Sequence, residues 1–243
     1  VDQTDKSSGK ITVRWVPPFD ADPTQFPPPY SYRVFRAEGF SGQAGLVEVP
    51  AADPMETFIE DTGLNTEDKV YNYRIYTTDQ AGNSLDTSAV ASSVRLEAQS
   101  QLNRIELSWS AEVPWSNTSA GLTHKVYRSD DNTASIPVDV SSMQLLTEID
   151  VINAGFKFVD GEDASAPLEA GRLYCYIVET LGTYGNENPI LAALEPFHNF
   201  SQVVCTQPGD TLPPCTPPPP IAHNAPDCDK YMVESGHCNE NVF

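Results

Sequence analysis

The amino-acid sequence contains the same four blocks twice, in the same order. The first copies are Ile11–Trp15, Tyr32–Arg36, Phe58–Asp61 and Tyr71–Ile75, and the second copies are Ile105–Trp109, His124–Arg128, Phe158–Asp160 and Tyr174–Val178. The offset is 94 at the tryptophan (15 to 109), 92 at the arginine (36 to 128), 99 at the aspartate (61 to 160) and 103 at the first tyrosine (71 to 174). Because the offset changes mainly between blocks, where loops tolerate insertions, the sequence indicates a duplicated domain.

Each block alternates apolar and polar residues, as a strand with one buried face does. The pattern predicts that Ile11, Val13 and Trp15 face a core, and that Tyr71 and Tyr73 do so on a later strand. Clusters of Pro, Gly, Asn and Asp separate the blocks, and no segment predicts more than a single helical turn. Short strands separated by turns favour an all-β fold built from antiparallel sandwiches.

The charge of the chain excludes one class of partner. The 243 residues include 34 Asp and Glu against 14 Lys and Arg, which gives a formal net charge of −20. Affinity for phosphate comes from clustered cations, so nucleic acid is not a predicted ligand. The sequence contains no apolar run of about 18 residues, and we predict no membrane insertion by this segment.

The repeat predicts two domains and a remnant. We place a first domain at 1–97, a second at 98–206, a Pro-rich linker at 207–222, and either the start of a further repeat or a disordered tail at 223–243. In the second copy an apolar stretch from Val94 to Leu96 precedes the first block, whereas only Val1 stands in that place in the first copy. We therefore expect the opening strand of the first domain to be largely missing.

The order of the blocks resembles that of fibronectin type III domains, which are immunoglobulin-like β-sandwiches. The residues that carry the resemblance are the early Trp15 and Trp109 and the late Tyr71 and Tyr174. In that family a leucine about six residues before the late tyrosine helps to build a tyrosine corner. Leu64 and Leu168 stand seven and six residues before the two tyrosines. The resemblance covers about residues 1–206 and implies tandem fibronectin type III-like sandwiches.

A narrower resemblance lies in the loops. The strings Pro29–Arg36, Val113–Asn117, Asn199–Gln202 and Asp210–Cys215 resemble the fibronectin-type repeats of large Bacteroidota surface proteins. These are the gliding motility-associated proteins with a type 9 secretion system C-terminal domain. The resemblance implies a stalk or surface array that is exported across the outer membrane. It implies no chemistry at these residues.

All five cysteines lie in the second half of the chain. Cys175 belongs to one predicted strand and Cys205 to the strand that runs beside it, which predicts a cross-strand or sheet-edge disulfide. The alternative is two separate buried thiols. Cys215, Cys228 and Cys238 remain in the tail, and their odd number indicates a partner elsewhere or one free thiol.

Catalysis and cofactor binding find little support in the sequence. None of the four histidines stands in a recognisable nucleophile setting, so we predict no enzyme activity and no catalytic residue. If the chain takes a cofactor, calcium is favoured, at the carboxylates of Asp160, Glu162 and Asp163. The alternative for this segment is a solvated loop.

Two further residues are candidates for surface roles. Trp115 lies in a loop, where it either caps the end of the core or serves as an anchor for a partner or a sugar. Thr211, within Asp210–Leu212, resembles the short O-glycosylation motif that Bacteroidota use on exported proteins.

The sequence therefore predicts a non-catalytic extracellular spacer or interaction module of a multi-repeat bacterial surface protein, exported by the type 9 system and linked to gliding motility or adhesion. The expected partners are other repeats of the same protein, and outer-membrane proteins, secretion-system proteins or surface glycans. Two alternatives remain open. One is an accessory sandwich of a secreted enzyme that degrades carbohydrate or protein, and the other is a stably bound component of the outer-membrane secretion or motility machinery.

Overall fold

The computed structural model describes residues 3–5, 8–18, 20–42, 44–130, 139–163, 167–185, 187 and 189–209. Within these residues the chain forms two β-sandwiches that follow one another along the sequence. Each sandwich packs a three-stranded sheet against a five-stranded sheet. No helix among the described residues is long and apolar enough to cross a membrane.

The first sandwich consists of strands β1 to β8. Their bounds are β1 (Gln3–Asp5), β2 (Lys10–Arg14), β3 (Ser31–Glu38), β4 (Val47–Val49), β5 (Phe58–Asp61), β6 (Tyr71–Thr78), β7 (Ser84–Thr87) and β8 (Ala91–Ser92). One sheet has the order β1-β2-β5, and the other has the order β4-β3-β6-β7, with β8 also pairing with β6. All of these pairings are antiparallel.

The second sandwich consists of strands β9 to β16. Their bounds are β9 (Arg95–Gln101), β10 (Arg104–Ser110), β11 (His124–Ser129), β12 (Gln144–Ile149), β13 (Lys157–Asp160), β14 (Tyr174–Gly182), β15 (Phe197–Phe200) and β16 (Val204–Thr206). One sheet has the order β9-β10-β13, and the other has the order β12-β11-β14-β15, with β16 also pairing with β14. The strand order of the first sandwich is thus repeated element by element, and the fold is a tandem of fibronectin type III-like β-sandwiches.

Both sandwiches contain a tyrosine corner. The hydroxyl of Tyr71 accepts a hydrogen bond from the backbone N–H of Asn65 at 3.2 Å, and that of Tyr174 accepts one from Glu169 at 3.1 Å. Leu64 and Leu168, the residues that precede these donors, pack into their respective cores. The corner ties the end of each loop to the strand that follows it.

The alternation of residues predicts the inward faces correctly. Ile11, Val13, Tyr71 and Tyr73 are all buried, and Trp15 is partly buried against the same cluster. The core of the second sandwich is formed by the matching positions, which are Ile105, Leu107, Trp109, Val126, Tyr174, Tyr176 and Val178. Burial of such side chains is the main source of stability in each sandwich.

Ser93 and Val94 connect the last strand of the first sandwich to the first strand of the second. Strand β9 begins at Arg95 and pairs with β10 through its whole length. In the first sandwich β1 has three residues against seven in β9. Val94 is buried and belongs to the core of the second sandwich.

Two four-residue helices, α1 (Val151–Ala154) and α2 (Pro189–Ala192), interrupt the loops of the second sandwich. The carboxylate of Asp150 accepts the N–H of Ile152 at the start of α1, and Gly155 ends it with a φ of 72°. Caps rather than periodicity define so short a helix.

Candidate functional site

A buried ion pair with a tyrosine stands at the centre of the first sandwich. The guanidinium Nη1 of Arg36 lies 2.7 Å from each carboxylate oxygen of Asp61. The hydroxyl of Tyr73 donates to the same carboxylate at 3.0 Å. Burial, followed by the negative charge of Asp61, raises the pKa of the Tyr73 hydroxyl far above its ordinary value, so this group remains a donor.

The second sandwich repeats this cluster. Nη1 of Arg128 lies 3.2 and 3.0 Å from the two carboxylate oxygens of Asp160, and the hydroxyl of Tyr176 donates to Asp160 at 2.8 Å. Burial and the charge of Asp160 raise the pKa of Tyr176 in the same way. In each sandwich the aspartate belongs to the three-stranded sheet, and the arginine and tyrosine belong to the five-stranded sheet. The cluster therefore joins the two sheets.

This cluster determines the position of the predicted calcium ligands. Asp160 is buried within it, whereas Glu162 and Asp163 are exposed. No group of three His, Cys, Asp or Glu side chains among the described residues is arranged to hold a metal ion. Calcium binding at this loop stays a prediction.

The core tryptophans of the two sandwiches differ in their hydrogen bonds. The indole Nε1 of Trp109 donates to Nδ1 of His124 at 3.0 Å, and Nε2 of His124 lies 3.0 Å from the carbonyl oxygen of Asn117. His124 therefore accepts at Nδ1 and donates at Nε2, and its burial lowers its pKa. In the first sandwich Trp15 Nε1 is buried with no hydrogen-bond partner among the described residues, and Tyr32 occupies the position of His124.

A disulfide joins Cys175 and Cys205, as the sequence predicts. The two residues are opposite one another on β14 and β16, with Cα atoms 4.0 Å apart. The bond lies on the outer face of the five-stranded sheet, in a small apolar cluster with Ile177 and Val203.

The same outer face contains a buried carboxylate. Glu179 is 3% exposed and accepts from the hydroxyl of Tyr127 at 2.7 Å and from Nδ1 of His198 at 2.5 Å, with Nζ of Lys125 at 3.4 Å. Burial acts to raise the pKa of Glu179, but the hydrogen bonds from Tyr127 and His198 outweigh it and hold the pKa below its usual value. Glu179 thereby fixes the orientation of the His198 ring.

An apolar cleft, which we call the interdomain cleft, lies between the two sandwiches and has a volume of about 540 Å³. Trp15 and Val16 line it from the first sandwich, and Trp115, Tyr184 and Leu194 line it from the second. No aspartate or glutamate among the described residues lines it. Concave, mainly apolar cavities of this size are typical of binding sites.

Trp115 is placed at this cleft by close packing. Its ring lies 5.2 Å from that of Phe197 and 6.3 Å from that of Tyr184, measured between centroids. A Cβ atom at Gly182 would overlap the indole, so the glycine makes room for it. The side chain therefore packs at the end of the second sandwich and also lines the cleft. A role of Trp115 as an anchor for a partner or a sugar stays a prediction.

The sequence of this chain matches no protein-family model and no curated protein. Among solved structures it is similar to the FN1–FN3 domains of chicken CNTN1, with 10% identity and a TM-score of 0.31. The match covers 85% of this chain and 64% of that structure.

Several predicted sites lie outside the described residues. They are Thr211, the tail cysteines Cys215, Cys228 and Cys238, nearly all of the 207–222 linker, and the whole of 223–243. These assignments remain predictions from the sequence.

The polar groups on the outer face of β14 were not foreseen. Glu179 and His198 are far apart in the sequence and meet only because β14 pairs with β15. The Arg–Asp–Tyr cluster, by contrast, had a signal: its arginine, aspartate and tyrosine all recur in the duplicated blocks.

Proposed function

We propose that this chain is a non-catalytic extracellular spacer and interaction module. The observation that supports the spacer role is the junction between the sandwiches. Ser92, Ser93 and Val94 connect them, and all three are buried. A flexible linker would instead be exposed and solvated.

Hydrogen bonds hold this junction on both sides. Ser92 lies at the end of the first sandwich, and its carbonyl oxygen accepts a hydrogen bond from Nδ2 of Asn199 at 3.0 Å. The N–H of Ser92 donates to the carbonyl oxygen of Glu112 at 2.8 Å. The N–H of Glu112 donates to the Ser92 hydroxyl at 2.9 Å. Ser93 in turn bonds the backbone of Tyr71 in the first sandwich. Interlocked, buried bonds of this kind favour one fixed arrangement of the two sandwiches.

An NMR measurement of residual dipolar couplings on the full chain tests the rigidity. A fixed junction gives one common alignment tensor for both sandwiches. The Asn199→Ala variant, which leaves the Ser92 carbonyl without its partner, is expected to separate the two tensors. Asn153→Ala is the matched control, because Asn153 is exposed and its Nδ2 bonds only the local Asp150. Two distinct tensors in the unmodified chain would refute the spacer role.

The extracellular setting is supported by the disulfide, since such bonds persist in oxidising surroundings. It is also supported by the acidic net charge of −20, which favours solubility. The loop strings support a narrower assignment: one part of a multi-repeat surface protein exported by the type 9 system, with a role in gliding motility or adhesion. Its partners are then the neighbouring repeats, outer-membrane or secretion-system proteins, or surface glycans.

Surface proteolysis of cells with and without a functional type 9 translocon tests the narrower assignment. Cleavage of this segment on intact cells only when the translocon works supports it. A hydrolase domain in the same full-length protein would replace it with the accessory-module function. Stable co-purification with outer-membrane proteins would replace it with a role in the secretion or motility machinery.

A further inference from the structure

The interdomain cleft is open at a place where the second sandwich has a strand. The duplicated blocks put Trp15 at the position of Trp109. In the second sandwich β9 runs beside β10 and places Leu96 directly opposite Trp109, where Leu96 is 1% exposed. In the first sandwich the described part of β1 reaches only to Gln3, opposite Thr12. None of the residues described in the first sandwich therefore takes the place of Leu96.

The cleft reaches the core of the first sandwich at this place. Its lining includes Val13, Tyr73 and Ile75, which belong to that core, and Trp15, which packs against it. Trp15 is partly exposed, whereas Trp109 in the second sandwich is only 5% exposed. The first sandwich thus leaves apolar core surface accessible where the second covers it with a side chain, and such surface favours burial against a partner.

We propose that the cleft binds an extended strand of a partner protein, which lies antiparallel to β2 as β9 lies antiparallel to β10. The second sandwich shows which side chains fill such a position. Val94 and Leu96 stand two residues apart, are each 1% exposed and belong to the core. Since alternate residues of a strand point to one face, the partner strand needs two aliphatic residues in this spacing. Addition of a strand to the edge of a sheet is a general mode of peptide recognition. The binding of a strand goes beyond the spacer role, and its absence would leave that role untouched.

One polar contact of the second sandwich is missing from the first. Oε1 of Gln202 accepts the N–H of Leu96 at 3.2 Å, and Nε2 of Gln202 donates to the carbonyl oxygen of Leu96 at 2.8 Å. Ser201 and Ser88 make the same hydrogen bonds to the backbone of β14 and β6. The residue after Ser201 is Gln202, whereas the residue after Ser88 is Ala89, which lines the cleft. The substitution Ala89→Gln would therefore offer a bound strand the two hydrogen bonds that Leu96 receives.

A calorimetric titration of the full chain with synthetic peptides tests the proposal. The probe is an acetylated and amidated peptide with the sequence of residues 92–98, Ser-Ser-Val-Arg-Leu-Glu-Ala. The control peptide, Ser-Ser-Arg-Val-Leu-Glu-Ala, has the same composition, but its two aliphatic residues are adjacent and point to opposite faces of a strand. We expect saturable binding of the probe and binding of the control that is weaker by about tenfold or more, because only one of its aliphatic side chains can enter the cleft.

Amide resonances of the full chain show where the probe binds. We expect the resonances of Val13 and Ile75, which line the cleft, to shift on binding. Those of their counterparts Leu107 and Val178 should stay unchanged, because the second sandwich already contains β9. Shifts at the counterparts alone would mean that the probe replaces β9, and would overturn the proposal.

Three variants of the chain test the position of the strand. Ala89→Gln is expected to tighten the binding of the probe by about tenfold, because it supplies two hydrogen bonds. Val16→Asp is expected to weaken it by about tenfold or more, because it puts a charge on an apolar wall of the cleft. Val47→Asp is the matched control, since Val47 is 53% exposed and does not line the cleft. Val16 is 45% exposed, so both aspartate variants should fold.

Four outcomes would overturn the proposal. They are the absence of saturable binding at millimolar probe, equal affinity for the two peptides, equal weakening by the two aspartate variants, and unchanged affinity in Ala89→Gln. Sedimentation of the full chain without peptide tests the remaining occupant. A monomer is expected, and a dimer that Val16→Asp abolishes would assign the cleft to a second copy of the chain instead of a partner strand.

Discussion

The two sandwiches share their internal frame and differ in what surrounds it. Arg36, Asp61 and Tyr73 in the first occupy the same places as the corresponding three residues in the second, with the same pattern of hydrogen bonds. On the outer face of the five-stranded sheet the resemblance ends. The first sandwich has an exposed ion pair there, between Arg33 and Glu48, whereas the second buries Glu179, its donors and a disulfide.

The comparison separates what the fold requires from what each copy has added. A polar cluster that ties two sheets together must keep all of its members, since losing one leaves the others buried without a partner. On the outer face the polar groups bond within one sheet, and the two copies have different residues there. The predictions below test this division, beginning with the largest expected effect.

Removal of the aspartate from the Arg–Asp–Tyr cluster is expected to destabilise the two sandwiches to a similar extent. Asp61→Ala and Asp160→Ala each leave a buried arginine and a tyrosine hydroxyl without their partner. We expect each substitution to lower the free energy of unfolding of its sandwich by about 3–5 kcal/mol. The measurement is urea unfolding followed by amide resonances assigned to each sandwich. Glu48→Ala is the control, because it removes a solvent-exposed partner and should change the stability little. A loss no larger than that of the control for either aspartate would show that the cluster is not a shared frame.

Loss of the disulfide is expected to affect the second sandwich alone. The bond closes a sequence separation of 30 residues, for which restriction of the unfolded chain predicts about 3–4 kcal/mol. The double variant Cys175→Ala, Cys205→Ala should therefore unfold its sandwich at lower urea and leave the resonances of the first sandwich unshifted. An equal loss in the first sandwich would mean that the two unfold as one unit.

The hydrogen bond of the core tryptophan is expected to produce a smaller difference in stability between the two sandwiches. His124→Phe removes the acceptor of Trp109 Nε1 and should destabilise the second sandwich by about 1–3 kcal/mol. Tyr32→Phe at the matching position of the first sandwich should cost less, because Trp15 Nε1 has no hydrogen-bond partner among the described residues. Thermal unfolding measures the loss of stability in both variants. A larger loss for Tyr32→Phe would contradict the conclusion that the hydrogen bond of the core tryptophan distinguishes the two sandwiches.

The pH dependence of stability is expected to come first from His124. Its pKa is lowered by burial from an ordinary value of 6.5, so the unfolded chain binds the proton before the folded one does. Stability from this group is complete above about pH 6.5 and falls as the pH drops, by at most about 1.4 kcal/mol per pH unit. Glu179, whose pKa is also lowered, adds a similar loss only near and below its ordinary value of 4.5. Urea unfolding of His124→Gln at a series of pH values should show no loss of stability just below pH 6.5. An unchanged pH dependence in this variant would mean that a group other than His124 causes the loss.

Much of the fold was predictable because it rests on local pattern. The alternation in the blocks around Trp15 and Tyr71 specifies inward faces, and the duplicated order specifies which strands correspond. The disulfide was predictable as well, since Cys175 and Cys205 lie on strands expected to be neighbours. The start of the second sandwich is harder to predict, because the pairing of β9 with β10 begins at Arg95 and depends on contacts across the sheet.

The sequence by itself determined the two sandwiches, their shared core and their acidic charge, because side-chain periodicity and composition act over a few residues or over the whole chain. Only the tertiary structure decided the interdomain cleft, the buried junction at Ser92 and the carboxylate cluster at Glu179. Each of these joins residues from separate loops or strands, and their approach depends on how the sheets pair and pack rather than on any local preference. The duplicated tryptophan shows the same distinction within a single residue type: its burial followed from the pattern, but whether its indole found a partner was decided by the residue across the core.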